Sequence, residues 1–201
     1  MPPYYIMLKG PSSLLFIITT LTISTMILLL YVFLFYPNDN NNAAFAERIN
    51  GTPQNDNLTG TPDNDRITGS GGNDTLVGLA GNDEIDGGRD IDTISGSEGD
   101  DYLIGGPRND IIRGDAGDDE VEGNDQDDKI SGGPGNDTLS GGRGRDDING
   151  EDGNDLLFGG PGDDTLSGGK GKDYFNCGLG KDKVADFNQA EGDSRSYNCE
   201  T

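Results

Sequence analysis

An apolar residue recurs at every ninth position from Leu58 to Val184, and most of its immediate neighbours are polar. Such polar-apolar-polar alternation is typical of a short β-strand with one buried face. The six residues between successive triplets are rich in Gly, Pro, Asn and Asp, which favour turns because they tolerate or preset unusual φ values. Each nine-residue unit therefore predicts a three-residue strand and a six-residue turn.

Fifteen such units follow one another in residues 51–185 without an insertion or a deletion. A fixed short period indicates a solenoid, in which each unit packs on its neighbours. Two units close one flattened coil, and coils stacked about 4.8 Å apart form two parallel sheets face to face. We expect an all-β parallel solenoid whose thin core is made by the eighth position of each unit: Leu58, Ile67, Leu76, Ile85, Ile94, Leu103, Ile112, Val121, Ile130, Leu139, Ile148, Leu157, Leu166, Phe175 and Val184.

Composition alone gives a different picture. The 201 residues carry 37 acidic and 14 basic side chains, a net charge of -23, and 34 glycines. Low hydrophobicity with high net charge is typical of disordered chains. The constant phase of the apolar positions argues against disorder, and the acidity without basic patches argues against nucleic-acid binding.

The sixth position of every unit is aspartate. Because two units make a coil, these carboxylates are expected in two columns, one beginning Asp65, Asp83, Asp101 and the other containing Asp74, Asp92 and Asp110. Stacked like charges repel unless a cation lies between them. Carboxylate and carbonyl oxygens suit Ca2+, whereas a chain with no His and two Cys lacks ligands for zinc or copper.

The units resemble the glycine-rich nonapeptide repeats of the repeats-in-toxin (RTX), haemolysin-type calcium-binding family, whose pattern is G-G-x-G-x-D-x-U-x with U a large apolar residue. Gly132 to Ser140, GGPGNDTLS, shows the full pattern, and the resemblance extends over residues 51 to about 185. It implies a parallel β-roll in which the turns hold several Ca2+ ions between successive coils.

By position, the resemblance implies two sets of ligands. The side-chain ligands would be Asp56, Asp65, Asp74, Asp83, Asp92, Asp101, Asp110, Asp119, Asp128, Asp137, Asp146, Asp155, Asp164, Asp173 and Asp182. Backbone carbonyls would come from Gly133, Gly135, Gly142, Gly144, Gly160, Gly162, Gly169 and Gly171.

Some units depart from the full pattern. The fourth-position glycine is replaced by Gln54, Asp63, Asp90, Arg108 and Gln126, and Lys172 and Lys181 place positive charge beside the columns. Units that open at Gly132, Gly141, Gly159 and Gly168 keep the complete turn. We therefore expect the best-formed calcium sites in the C-terminal half.

Residues 14–36 contain 23 consecutive uncharged positions, enough for a helix that crosses a membrane. Residues 1–13 would then be a short cytoplasmic N-terminus, and residues 37–50 a polar linker. The segment is either a retained anchor, which its length favours, or a signal that is cleaved after Ala44-Phe45-Ala46. Either way the repeats are expected outside the cell, displayed on its surface or secreted.

Residues 186–201 break the period, and we expect them to cap the last coil with Phe187, Tyr197 and the Val184 strand. Cys177 and Cys199 are expected to form a disulfide, since an exported pair without other partners is usually bridged. A thiol pair for metal or redox work is the other possibility, but no C-x-x-C spacing supports it.

No residue constellation indicates an enzyme, because there is no His and no carboxylate pair stands out from the rest. The expected function is calcium binding by an exported roll that folds on binding Ca2+. The alternative is a structural or adhesive protein that calcium stiffens and that binds a cell-envelope or surface partner.

Overall fold

The computed structural model describes residues 47–199. In this range the chain forms seventeen strands: β1 Arg48–Asn50, β2 Asn57–Thr59, β3 Arg66–Gly71, β4 Thr75–Ala80, β5 Glu84–Arg89, β6 Thr93–Glu98, β7 Tyr102–Pro107, β8 Ile111–Ala116, β9 Glu120–Asp125, β10 Lys129–Pro134, β11 Thr138–Arg143, β12 Asp147–Asp152, β13 Leu156–Pro161, β14 Thr165–Lys170, β15 Tyr174–Leu179, β16 Lys183–Val184 and β17 Ser194–Arg195.

The strands alternate between two parallel sheets. The odd-numbered strands form a nine-stranded sheet, here the odd sheet, and the even-numbered strands form an eight-stranded sheet, the even sheet. Through the repeats, each residue pairs with the residue eighteen positions later, as Ile67 does with Ile85 and Ile130 with Ile148. Two units therefore make one coil, which confirms the predicted parallel β-roll.

The strands are longer than the three residues that the pattern predicts. From β3 to β15 each strand has six residues, because the first three positions of the next unit continue the pairing. In β10, for example, Gly133 and Pro134 pair with Glu151 and Asp152 of β12. The expected six-residue turn is thus reduced to the three residues at positions four to six.

The space between the sheets is filled by the eighth-position side chains. Those from Ile67 to Phe175 are at most 1 % exposed, and Leu58 and Val184 pack against them at the two ends. The predicted core is confirmed. It supplies one large apolar side chain for each nine residues, so burial alone gives little to offset the cost of ordering the backbone.

The roll extends beyond the repeats at its N-terminal end. Strand β1, in the segment that the sequence assigned to a linker, pairs with β3 and aligns Ile49 with Ile67. Ile49 also packs against the core. Residues 47–50 therefore occupy positions six to nine of an additional, incomplete unit.

The C-terminal cap covers the last coil through several contacts. Phe187 packs against Phe175 with ring centroids 6.3 Å apart, and the Arg195 guanidinium lies 4.8 Å from the centre of the Phe187 ring. The Asp186 carboxylate accepts hydrogen bonds from the backbone N–H groups of Gly168 (2.9 Å) and Gly169 (2.8 Å), which would otherwise face an uncovered sheet end.

Two expectations about the cap have different outcomes. The structure contains the Cys177–Cys199 disulfide, whose first cysteine is fully buried beside the core. The prediction for Tyr197 was wrong, because its side chain is fully exposed and covers nothing. The neighbouring Asn198 is held instead, since its amide donates to the carbonyl oxygen of Gly178 at 2.8 Å.

The predicted membrane segment, residues 14–36, and the flanking residues 1–13 lie outside the described residues. Within residues 47–199 there is no helix that could span a membrane.

The assigned core predicts that two adjacent isoleucines in β8 contribute very differently to the free energy of unfolding. Ile112 is completely buried, whereas Ile111 is 38 % exposed. Ile112→Ala is expected to lower the free energy of unfolding by about 2–5 kcal/mol, because the surrounding strands cannot close the cavity. Ile111→Ala is expected to change it by only about 0.5 kcal/mol. Urea unfolding of the full chain in detergent with saturating calcium measures both, and equal losses would contradict the assigned core.

The backbone bends at positions two and four of the units. Within residues 47–199, the nine non-glycine residues with positive φ all lie at these two positions: Ser70, Leu79, Asp90, Ser97, Arg108, Asp115, Asn124, Gln126 and Glu151. The remaining units mostly place glycine there, as at Gly133 and Gly135 with φ of 118° and 157°. A side chain at positive φ crowds its own backbone, so these nine residues store strain.

This strain predicts that glycine is the better residue at Leu79, where φ is 90° and the side chain is 39 % exposed. Leu79→Gly is expected to raise the free energy of unfolding by roughly 0.5–1 kcal/mol after the greater entropy of the unfolded chain is allowed for. The matched control is Leu156→Gly, since Leu156 is 43 % exposed and lies in strand β13 without a positive φ. That change should destabilise by roughly 1 kcal/mol.

Candidate metal centre

The sixth-position aspartates form two columns, one along each edge of the roll. The odd column precedes the strands of the odd sheet and the even column those of the even sheet. In both, the backbone N–H of one aspartate donates to the Oδ1 atom of the aspartate one coil later, as from Asp74 to Asp92 and from Asp65 to Asp83, at 2.8 and 2.7 Å. The predicted columns are confirmed.

The second oxygen of each carboxylate has no partner. From Asp74 to Asp182, all thirteen sixth-position aspartates bury an Oδ2 atom that makes no hydrogen bond. These side chains are at most 4 % exposed. A buried, unpaired carboxylate oxygen is costly, and a cation is the partner that compensates for it best.

The first-position glycine is required by these oxygens. A Cβ atom built on Gly105 would lie 2.7 Å from the Oδ2 of Asp110 in the same unit, and the equivalent atom on Gly87 would lie 2.6 Å from that of Asp92. A side chain at this position would therefore crowd the carboxylate, which favours glycine. This contact explains why fourteen of the fifteen units open with glycine and only one opens with Cys177.

Burial raises the pKa of the sixth-position aspartates from Asp83 to Asp173. Loss of hydration is the main cause, the hydrogen bond from the preceding aspartate opposes it, and repulsion from neighbouring carboxylates adds to it in most of them. The pKa reaches about 8 at Asp128, about 7 at Asp92, Asp101 and Asp137, and about 6 at Asp83, Asp110, Asp119, Asp155 and Asp164.

Backbone carbonyls provide further oxygens between the coils. The carbonyl oxygens of Gly135, Gly142, Gly144, Gly160 and Gly162 lie so close to the turn one coil later that a Cβ atom there would collide with them. In residues 47–199 no three acidic, His or Cys side chains gather closely enough to hold a metal by side chains alone. Successive column members are one coil apart, so a bound ion needs carbonyl oxygens as well. Hard Ca2+ fits this donor set.

Not all the predicted side-chain ligands are equivalent. Asp56 and Asp65, in the first two units, accept hydrogen bonds at Oδ2 from Thr52 and Thr61, respectively. The other thirteen have the unpaired oxygen described above. We call the two carboxylates whose Oδ2 atom is hydrogen-bonded closed, and the thirteen whose Oδ2 atom has no partner open.

Two features of the columns were not predicted. Asp193 in the cap continues the odd column, because its Oδ1 accepts from the backbone N–H of Asp173 at 3.0 Å. The sequence signal is weak: Asp193 precedes the Ser-Arg pair of β17, but two extra residues shift it out of phase with the repeats. A second ladder joins the fifth positions, where Asp100 and Asp118 accept from the backbone of Asp118 and Asn136 at 3.0 and 2.7 Å.

The fold and the two columns define a calcium-binding parallel β-roll. Seven overlapping matches to the family described as RTX calcium-binding nonapeptide repeat (4 copies) together cover residues 44–184 of the chain. The chain therefore belongs to that family, whose repeats bind Ca2+, and its buried aspartate columns agree with this. A comparison with curated proteins gave no match.

The raised pKa values predict that the metal-free roll is most stable in mild acid. A carboxyl whose pKa is higher in the folded than in the unfolded chain favours folding below its unfolded pKa of about 3.8, and this contribution is lost as the pH rises through the folded pKa. For Asp128 and Asp92 those values are about 8 and about 7. The melting temperature of the metal-free chain should therefore fall between about pH 5 and pH 8.

Circular dichroism of the full chain, stripped of metal on a chelating resin, measures this fall. The control is the same series with saturating calcium, in which stability should not fall with pH because ionised carboxylates bind the ion. A metal-free melting temperature that is flat or rises across the range would contradict the buried, unpaired state of the columns.

Proposed function

We propose that this protein is a calcium-responsive roll that is exported, binds Ca2+ through its two aspartate columns and folds outside the cell as it does so. The observation that carries the proposal is the set of thirteen buried carboxylate oxygens without a hydrogen-bond partner. In the metal-free chain at neutral pH, these oxygens oppose folding. Bound calcium turns the same atoms into stabilising ligands.

The proposed side-chain ligands are the open aspartates of the two columns, from Asp74 to Asp182. Carbonyl oxygens of the glycine-rich turns, such as Gly142 and Gly160, complete the coordination. The complete turns of the C-terminal half bring such carbonyls close together without strain. At Asp90, Arg108 and Gln126, in contrast, a side chain occupies a left-handed backbone position.

Coupled binding and folding follows from the thin core. One apolar side chain per unit does not by itself outweigh the entropy of an ordered chain. Since the sites exist only when coils are stacked, the free energy of calcium binding becomes free energy of folding. The coils share their ligands with both neighbours, so the transition should be cooperative in calcium.

Export is supported by two features of the chain and by the usual affinity of extracellular calcium sites. The apolar segment 14–36 has the length of a membrane anchor or an export signal. The structure contains a disulfide, a bond that persists mainly in oxidising compartments. Extracellular calcium sites commonly have affinities of about 0.1–1 mM, which leaves them empty in the cytosol. The chain would therefore cross the membrane unfolded.

A second candidate is a calcium-stiffened surface protein that binds an envelope component. The observation that favours it is an apolar group on the outer face of the odd sheet: Leu156 is 43 % exposed, and the rings of Phe158 and Tyr174 pack edge to face beside it. Pull-down from intact cell surfaces with and without calcium tests this candidate, and Leu156→Ser should reduce any capture.

Calcium titration of the full chain in detergent, followed by far-ultraviolet circular dichroism, tests the main proposal. The β-sheet signal should appear cooperatively as calcium is added and disappear when a chelator is added. Magnesium at the same concentration should have little effect, because it retains its waters and demands a stricter octahedral geometry. A β-sheet signal that a chelator leaves unchanged would overturn the proposal.

Asp118 and Asp119 offer a matched pair for the ligand assignment. Each accepts a backbone hydrogen bond through Oδ1, but Asp119 is buried in the odd column and Asp118 is an exposed member of the fifth-position ladder. Asp119→Asn keeps the acceptor and removes the charge. It should raise the calcium midpoint, about tenfold for a loss of 1.4 kcal/mol, and should extend to higher pH the range in which the metal-free roll is folded. Asp118→Asn should do neither.

A further inference from the structure

The first two turns of the roll satisfy their carboxylates in a different way from the rest. Asp65 is as buried as the open aspartates, at 3 % exposure, yet both of its oxygens are paired. Oδ1 accepts from the backbone of Glu47 at 2.9 Å. Oδ2 accepts from both the backbone N–H (2.5 Å) and the hydroxyl (3.0 Å) of Thr61 in the same turn.

Thr52 repeats this arrangement one unit earlier. Its N–H and its hydroxyl donate to the Oδ2 of Asp56 at 2.6 and 2.9 Å. The hydroxyl also accepts from the backbone of Gln54, as that of Thr61 accepts from Asp63, which closes each turn locally. Two donors on one carboxylate oxygen occupy the electron pairs that a cation would use.

The sequence explains why only these turns close. Thr52 and Thr61 are β-branched and precede Pro53 and Pro62, and both features disfavour the left-handed backbone that the second position adopts elsewhere. Neither threonine has a positive φ. A hydroxyl alone is not sufficient, because Ser70 occupies the same position with φ of 83° and the Oδ2 of Asp74 remains unpaired.

The C-terminal end of the odd column is closed by the same means. Asp193, the last carboxylate of that column, is 8 % exposed. Its Oδ2 accepts the backbone N–H of Asn188 at 2.7 Å while its Oδ1 continues the ladder from Asp173. Protein donors therefore stand at three of the four column ends, all three outside the thirteen open carboxylates.

We infer that Thr52 and Thr61 take the place of calcium, so that the first two turns are metal-free closures and the calcium columns begin at Asp74 and Asp83. This inference rests on the proposed function and sets the N-terminal limit of its sites.

The test converts the second turn into a calcium turn. Thr61→Gly with Asp63→Gly changes Gly60 to Asp65 from GTPDND to GGPGND, the sequence of the complete turn Gly132 to Asp137. The control is Asp63→Gly alone, which gains the fourth-position glycine and keeps the threonine. Native mass spectrometry of the full chain released from detergent counts the ions bound with saturating calcium.

The double variant is expected to bind additional calcium, about one ion per chain, and the control is expected to bind as much as the wild type. A second measurement covers the case in which the double variant folds poorly: Asp65→Asn should leave the calcium count of the wild-type chain unchanged, whereas Asp83→Asn should lower it. An equal fall in both, or an unchanged count in a folded double variant, would overturn the inference. A wild-type chain that binds no calcium would instead overturn the proposed function.

Discussion

The structure depends on carboxylates that are buried one coil apart with one oxygen each left unpaired. Stacking at the spacing of β-strands brings like charges together where water cannot screen them. The same stacking pairs the backbone N–H of each column member from Glu47 to Asp173 with a carboxylate of the next coil, but it leaves the second carboxylate oxygen without a partner. A divalent cation removes the conflict, and the glycine-rich turns leave room for it.

Core packing, carboxylate placement and backbone bending are assigned to different fixed positions of the nine-residue unit. The eighth position fixes the phase of the coil and excludes water, but it is too sparse to stabilise the roll alone. The first position is glycine because the carboxylate of its own unit lies over it, as Asp110 does over Gly105. Glycine is not essential at the fourth position, since Asp90, Arg108 and Gln126 adopt the same positive φ there, although with strain. The fold is therefore kept in units that differ at the fourth position.

The nine-residue period predicts most of the fold because every coil repeats the same pattern of turn residues and apolar strand residues. Core, columns, parallel register and disulfide follow from spacing, composition and the family resemblance. The six-residue strands do not, because Gly, Ser and Pro at positions one to three carry a turn signal that inter-coil pairing overrides. The contacts of Asp193 and Asp186 could not be predicted from the sequence either. The cap is out of phase with the repeats, and only its packing places these residues on the last coil. The closures by Thr52 and Thr61 have a sequence signal, a β-branched residue before proline at the second position, but only the structure shows that their donors pair the carboxylate oxygens.

The ladders of the two columns give the roll a direction. Each column member from Glu47 to Asp173 donates its backbone N–H forward to a carboxylate of the following coil or of the cap. A turn is thus completed by sequence that is synthesised after it. As the chain is synthesised, no coil is therefore finished until its successor is present, and completion of the roll follows one coil behind the growing end.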